Sequence, residues 1–158
     1  MTYSQKYCLV HFIQPVQVGT QFHMSQWPLH TTLADVFAIN RQDSRIDERL
    51  ARQFSHYAPV KTTALQDSTL GTTHVVLLDK TPALVRLHND VITLLEENGA
   101  LFNTPEFNKE SFIPHSTIQQ DGRLRAGDEV VIDSLSLIDM FPESNWQQRN
   151  ILRTFTFR

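Results

Sequence analysis

Two tetrads in this chain carry side chains able to move protons. Leu29 is followed by His30-Thr31-Thr32-Leu33, and Pro114 by His115-Ser116-Thr117-Ile118, with 85 positions separating the two His. In each, a Thr stands two places after the His and an apolar residue closes the group. Successive strand side chains point to opposite faces, so a His and a Thr two apart project from one face. Two such strands brought together would set two imidazoles and two hydroxyls around one small anion. Imidazole suits both halves of acid–base chemistry because its reference pKa lies near neutrality. Such chemistry needs no cofactor.

The spacing alone is weak, since a chain with seven His and many Thr is expected to show it about once by accident. Context strengthens it. Both tetrads open a segment of β character, and both follow a Pro within two residues. Of His11, His23, His56, His74 and His88, only His23 has a hydroxyl residue in register, Ser25, in a loop-like stretch. No His-x-x-x-His pattern or carboxylate pair accompanies His30 and His115, so no metal site is expected.

The elements that must carry the tetrads can be read from pattern and punctuation. Residues Tyr7 to Ile13 and His30 to Ile39 read as strands, separated by a loop containing Pro15, Gly19 and Pro28. Ile46, Leu50 and Phe54 recur at fourfold spacing, predicting a helix capped by Asp43 or Ser44. Two strands follow, Val60 to Gln66 and Gly71 to Asp79. Thr81-Pro82 opens a second helix, with an apolar stripe of Leu84, Leu87, Val91 and Leu94, and Asn98-Gly99 stops it. A polar loop, Asn103 to Ser111, leads to the second tetrad. Glu129 to Met140 and Asn150 to Phe157 read as two closing strands. Two main helices among hairpin-connected strands predict an α+β fold with antiparallel sheets, and no glycine-rich phosphate loop is present.

The 158 residues suffice for one domain, residues 1–158, read as two lobes sharing a core. With 14 basic against 17 acidic residues the net charge is −3, which points away from duplex nucleic acid and toward a small phosphorylated partner or a short RNA end. The single Cys8 excludes an internal disulfide and reads as a core thiol. No signal segment or stretch of bilayer length is visible, so a cytoplasmic protein is expected; a monomer is also expected.

Paired apolar-His-x-Thr-apolar tetrads, separated by most of a small domain, resemble the signature of the two-histidine (2H) phosphoesterase superfamily, which includes 2′-5′ RNA ligase-like proteins and cyclic phosphodiesterases. The resemblance spans nearly the whole chain. It implies a bilobal fold, with two antiparallel sheets in pseudo-twofold arrangement around a central cleft. It also implies a metal-independent phosphodiesterase that opens a 2′,3′-cyclic phosphate or a similar small cyclic phosphodiester. His30 and His115 would transfer protons, while Thr32 and Thr117 would donate to the phosphate oxygens, each contributing about 2–4 kcal/mol if oxyanion-hole magnitudes apply. Two alternatives share the cleft: a 2′-5′ RNA ligase or RNA-end exonuclease, and a non-catalytic nucleotide-binding module.

This chain departs from its relatives in two places. Gln14 to Pro28 has a loop composition where relatives commonly carry a helix, and Lys109-Glu110-Ser111-Phe112 stands where RNA ligase-type relatives often have an Arg. Trp27 and Phe112, each three residues before a tetrad His, could stack on a base or pack in the core. Arg123, beside a turn after the second tetrad, could meet a second phosphate or remain a solvated surface cation.

Overall fold

The computed structural model describes residues 5–157. In chain order the elements are β1 (Lys6–Phe12), β2 (Gln21–His23), β3 (His30–Ala38), α1 (Arg41–Ser44), α2 (Ile46–Phe54), β4 (Val60–Leu70), β5 (Thr73–Leu78), α3 (Pro82–Glu97), β6 (Leu101–Phe102), β7 (His115–Thr117), β8 (Glu129–Ile132), β9 (Ser134–Asp139) and β10 (Gln148–Thr156). Six strands pair in the order β2-β10-β9-β1-β3-β6, and four in the order β7-β5-β4-β8. Every pairing is antiparallel. The fold is the α+β arrangement of antiparallel sheets that the element order predicts, in the bilobal form that the resemblance implies.

The two faces of β1 explain its unbroken apolar run. Tyr7 and Leu9 enter the main core between the sheets and the helices, with Leu33, Phe37, Leu50, Leu87 and Leu137. Cys8, Val10 and Phe12 enter a second cluster on the opposite face with Phe22, Ile138 and Ile151. A strand covered on both sides reads as continuous hydrophobicity rather than alternation. The loop between β1 and β3 provides that cover: it contains the short strand β2, and its Val16 and Trp27 pack against the second cluster.

Three local readings change. Asn40, not Asp43 or Ser44, caps a helix, and it caps the single turn α1 by accepting from the Asp43 N–H. Arg45 then breaks the run in a left-handed conformation (φ 54°) before α2. Glu129 to Met140 is not one strand. Its first half pairs with β4 and its second half with β1 and β10, so the chain passes from one sheet to the other at Asp133. The polar loop before the second tetrad contains two 3-10 turns, Pro105–Phe107 and Lys109–Ser111, and a short strand, β6, precedes it. The α3 start is as read, with Thr81 Oγ1 accepting from the Leu84 N–H at 3.1 Å and Pro82 in the first turn. No helix among the described residues is long and apolar enough to cross a membrane.

Candidate active site

The two tetrads open β3 and β7, and they meet. The residue between His and Thr is a hydroxyl in both copies, and the two hydroxyls cross. Thr31 donates to the His115 carbonyl at 2.8 Å, and Ser116 donates to the His30 carbonyl at 2.8 Å. Both side chains are buried. This reciprocal pair joins strands from different sheets, and it expresses the pseudo-twofold relation between the lobes at the level of two hydrogen bonds.

Each imidazole is oriented in the same way. His30 Nδ1 lies 2.8 Å from the Pro28 carbonyl, and His115 Nδ1 lies 2.7 Å from the Ile113 carbonyl. A carbonyl only accepts, so Nδ1 carries the hydrogen in both rings and Nε2 is left as the reactive nitrogen. Neither Nε2 has a protein partner among the described residues. His30 Nε2 is also not among the polar side-chain atoms enclosed without a partner, which are Asn89 Oδ1, Arg149 Nε and Asn150 Oδ1.

The two His differ in surroundings. His30 is 9% exposed, with Trp27 against its ring at a centroid distance of 4.5 Å and the Phe12 edge at 6.2 Å. Burial pushes its pKa down to about 4; the Pro28 carbonyl opposes this and the neighbouring His115 adds to it. His30 is therefore neutral in the free protein at pH 7. His115 is half-buried and lines a cleft of about 550 Å³ together with Thr32 and Thr117. A cleft of that size is in the range of small-molecule sites.

Strand register explains who faces the cleft. On the second lobe Thr117 is opposite Val75 and His115 is opposite Leu77, while Ser116 and Val76 share the core face. On the first lobe Thr32 lines the cleft; His30 shares its face of β3, beside Phe12 and Val10, but is not itself among the lining residues. The next pairing, Ala34 with Leu9, skips one residue of β3. This bulge at Leu33 reverses the alternation and turns Asp35 onto the cleft side, where it lines the wall.

The remaining sequence-derived candidates separate. Phe112 lines the cleft but is 7% exposed, stacked on the His88 ring at 3.8 Å with an interplanar angle of 2°. Trp27 is next to the site but does not line the cleft; it lies between the His30 ring and Phe22, with Arg149 above its face. Arg123 is paired with Asp67 and is not among the residues lining the cleft. His88 is a residue that spacing missed. It donates through Nδ1 to the Leu33 carbonyl at 2.7 Å and accepts the Lys109 N–H on Nε2 at 2.9 Å, tying β3 to the loop that leads into β7. Only its position on the buried stripe of α3 hinted at a structural task.

The crossed hydroxyls make a direct prediction. Thr31→Val or Ser116→Ala leaves a buried carbonyl without its partner, so each should destabilise the fold by about 1–3 kcal/mol. Calorimetry should show this as a melting temperature lowered by about 3–10 °C. An unchanged melting temperature in both variants would mean that the crossed pair does not hold the lobes together.

Among the described residues no group of three or more His, Cys, Asp or Glu is placed to hold a metal ion. The fold and the site define a two-histidine phosphoesterase-like protein. A family model for the 2′-5′ RNA ligase superfamily matches residues 9–147, a span that contains both tetrads. The chain belongs to that superfamily. Solved structures of the same fold include one described only as a phosphoesterase (TM-score 0.65, 14% identity, covering 97% of this chain and 98% of that one). Escherichia coli LigT complexed with 3′-AMP gives a TM-score of 0.62 at 14% identity, over 97% and 98% of the two chains. The Thermus thermophilus protein TT0787 gives 0.60 at 15% identity, again over 97% and 98%. No match was found among curated protein sequences.

Proposed function

We propose that this protein is a metal-independent phosphodiesterase that opens a small 2′,3′-cyclic phosphate to a monoester. The observation that carries the reading is the matched anchoring of the two rings: each His gives Nδ1–H to the carbonyl two residues before it, and each leaves Nε2 free. Phosphorus held between two such nitrogens could undergo in-line displacement. Water would attack phosphorus while giving its proton to one Nε2. The bond from phosphorus to a ribose oxygen would break as that oxygen takes a proton from the other Nε2. His30, neutral at pH 7, suits the role of base in this direction, and the more open His115 suits that of acid. Thr32 and Thr117, whose hydroxyls have no intramolecular partner among the described residues, would donate to the two non-bridging oxygens.

Support also comes from a relative of the same fold: LigT has been crystallised with 3′-AMP and with phosphate, which are product-like molecules for such a reaction. The test is hydrolysis of the four 2′,3′-cyclic nucleotides, with products resolved by phosphorus NMR. At least one should yield a nucleoside monophosphate, at a rate that EDTA leaves unchanged. A rate abolished by EDTA and restored by zinc or manganese would contradict the mechanism. No turnover of any of the four would remove the assignment.

A further inference from the structure

The half of the cleft beyond the tetrads is chemically one-sided. Its polar lining comprises Asp35, Thr73, Asn108, Ser111 and His88, whose two ring nitrogens are both engaged within the protein, and its apolar rim includes Phe107 and Ile113, which are 56% and 43% exposed. No Lys or Arg is among the lining residues. Cations outside this lining have partners of their own: Lys80 Nζ donates to the Glu110 carbonyl at 3.1 Å, Lys109 Nζ pairs with Glu96 at 2.9 Å, and Arg123 pairs with Asp67. Lys80 and Lys109 occupy an adjoining hollow that meets the cleft at Asn108 and Ser111.

Asp35 is the single charge on this wall. The bulge at Leu33 turns it there, and its carboxylate is held by the Val36 N–H at 2.8 Å and the Thr104 hydroxyl at 3.5 Å, with no ion-pair partner among the described residues. A pre-oriented carboxylate with free lone pairs accepts hydrogen bonds from neutral donors and repels anions. Exposed Phe107 offers an aromatic ring of the kind on which a nucleobase stacks, and Ile113 adds apolar surface to the same rim.

We infer that the cleft selects substrates whose only anionic group is the reacting phosphate, with Asp35 as the specificity-determining residue. It accepts a donor from the uncharged remainder, a base amino or imino group or a sugar hydroxyl, and excludes a second phosphate. The substrate class is thus a mononucleoside-sized cyclic phosphate with a free 5′-hydroxyl. An RNA end or a dinucleotide-like compound, which brings more phosphates, is disfavoured. This inference rests on the phosphodiesterase reading for its reaction, though not for its charge selection.

The experiment compares a nucleoside 2′,3′-cyclic phosphate with the same compound carrying a 5′-phosphate, in the native protein and in Asp35→Asn. The added phosphate should lower kcat/KM at least ~10-fold in the native protein, and Asp35→Asn should narrow that ratio to within ~3-fold, as expected when a like-charge contact sets specificity. Equal or faster turnover of the 5′-phosphorylated compound, or a ratio unmoved by Asp35→Asn, overturns the inference. If neither compound is hydrolysed, only the phosphodiesterase reading fails. Calorimetric binding of a nucleoside 3′-phosphate against its 3′,5′-bisphosphate then decides charge selection. Weaker binding of the bisphosphate supports it, whereas equal, tighter or absent binding of both overturns it.

Discussion

His115→Asn and His30→Asn should each lower kcat on a 2′,3′-cyclic nucleotide at least ~10²-fold, the loss expected when a positioned acid or base is removed. Asparagine is the informative replacement. Its side-chain N–H can still donate to the Ile113 or Pro28 carbonyl, so the local anchor survives while the Nε2 position disappears. His30→Ala would confuse the result, because it would also leave a void beside Trp27 and Phe12. Circular dichroism should show both Asn variants folded. The limbs of the native pH–rate profile belong to the coupled pair of rings, since the charge on one opposes the charge on the other. Near-native turnover in either folded variant would remove that His from the mechanism.

Acid should unfold this protein earlier than its surface charge alone would predict. His11, His30 and His88 all have pKa values pushed down, chiefly by burial. An imidazole whose folded pKa lies below its unfolded one binds protons more readily once the chain opens. Its contribution is therefore complete above the unfolded value of about 6.5, and it is lost as pH falls through the folded value. For His30, whose folded pKa is about 4, that loss reaches about 3 kcal/mol near pH 4. Melting temperature should fall steadily from pH 7 to pH 4, and His30→Asn should flatten part of that slope. An identical slope in His30→Asn and native protein would show that the buried ring carries no proton linkage.

The tetrads were legible because their chemistry is written in strand spacing, which survives folding unchanged. Two residues apart on one strand share a face wherever no bulge intervenes, and none falls between His30 and Thr32 or between His115 and Thr117. The helix start at Thr81 was legible for the same reason, since a cap and a proline act within one turn. What tertiary structure added was less readable. The crossed bonds of Thr31 and Ser116 join residues 84 and 86 positions apart; a hydroxyl in both middle positions was visible, but nothing local shows that the two strands meet there. The partner of Arg123 was not legible, because a loop cation takes whichever carboxylate the opposing strand presents, here Asp67. Asp35 gave no signal at all. By uninterrupted alternation from His30 it would face the core, and only the bulge at Leu33 turns it to the cleft. Glu129 to Met140 kept its β character across Asp133 while changing sheets, and composition does not mark a change of partner.

A crystal structure of the protein with inorganic phosphate bears on the central assignment most directly. The predicted result is one phosphate within hydrogen-bond reach of Nε2 of both His30 and His115 and of the Thr32 and Thr117 hydroxyls. An anion that touches one ring while the other stays closed off behind Trp27 would contradict the shared site.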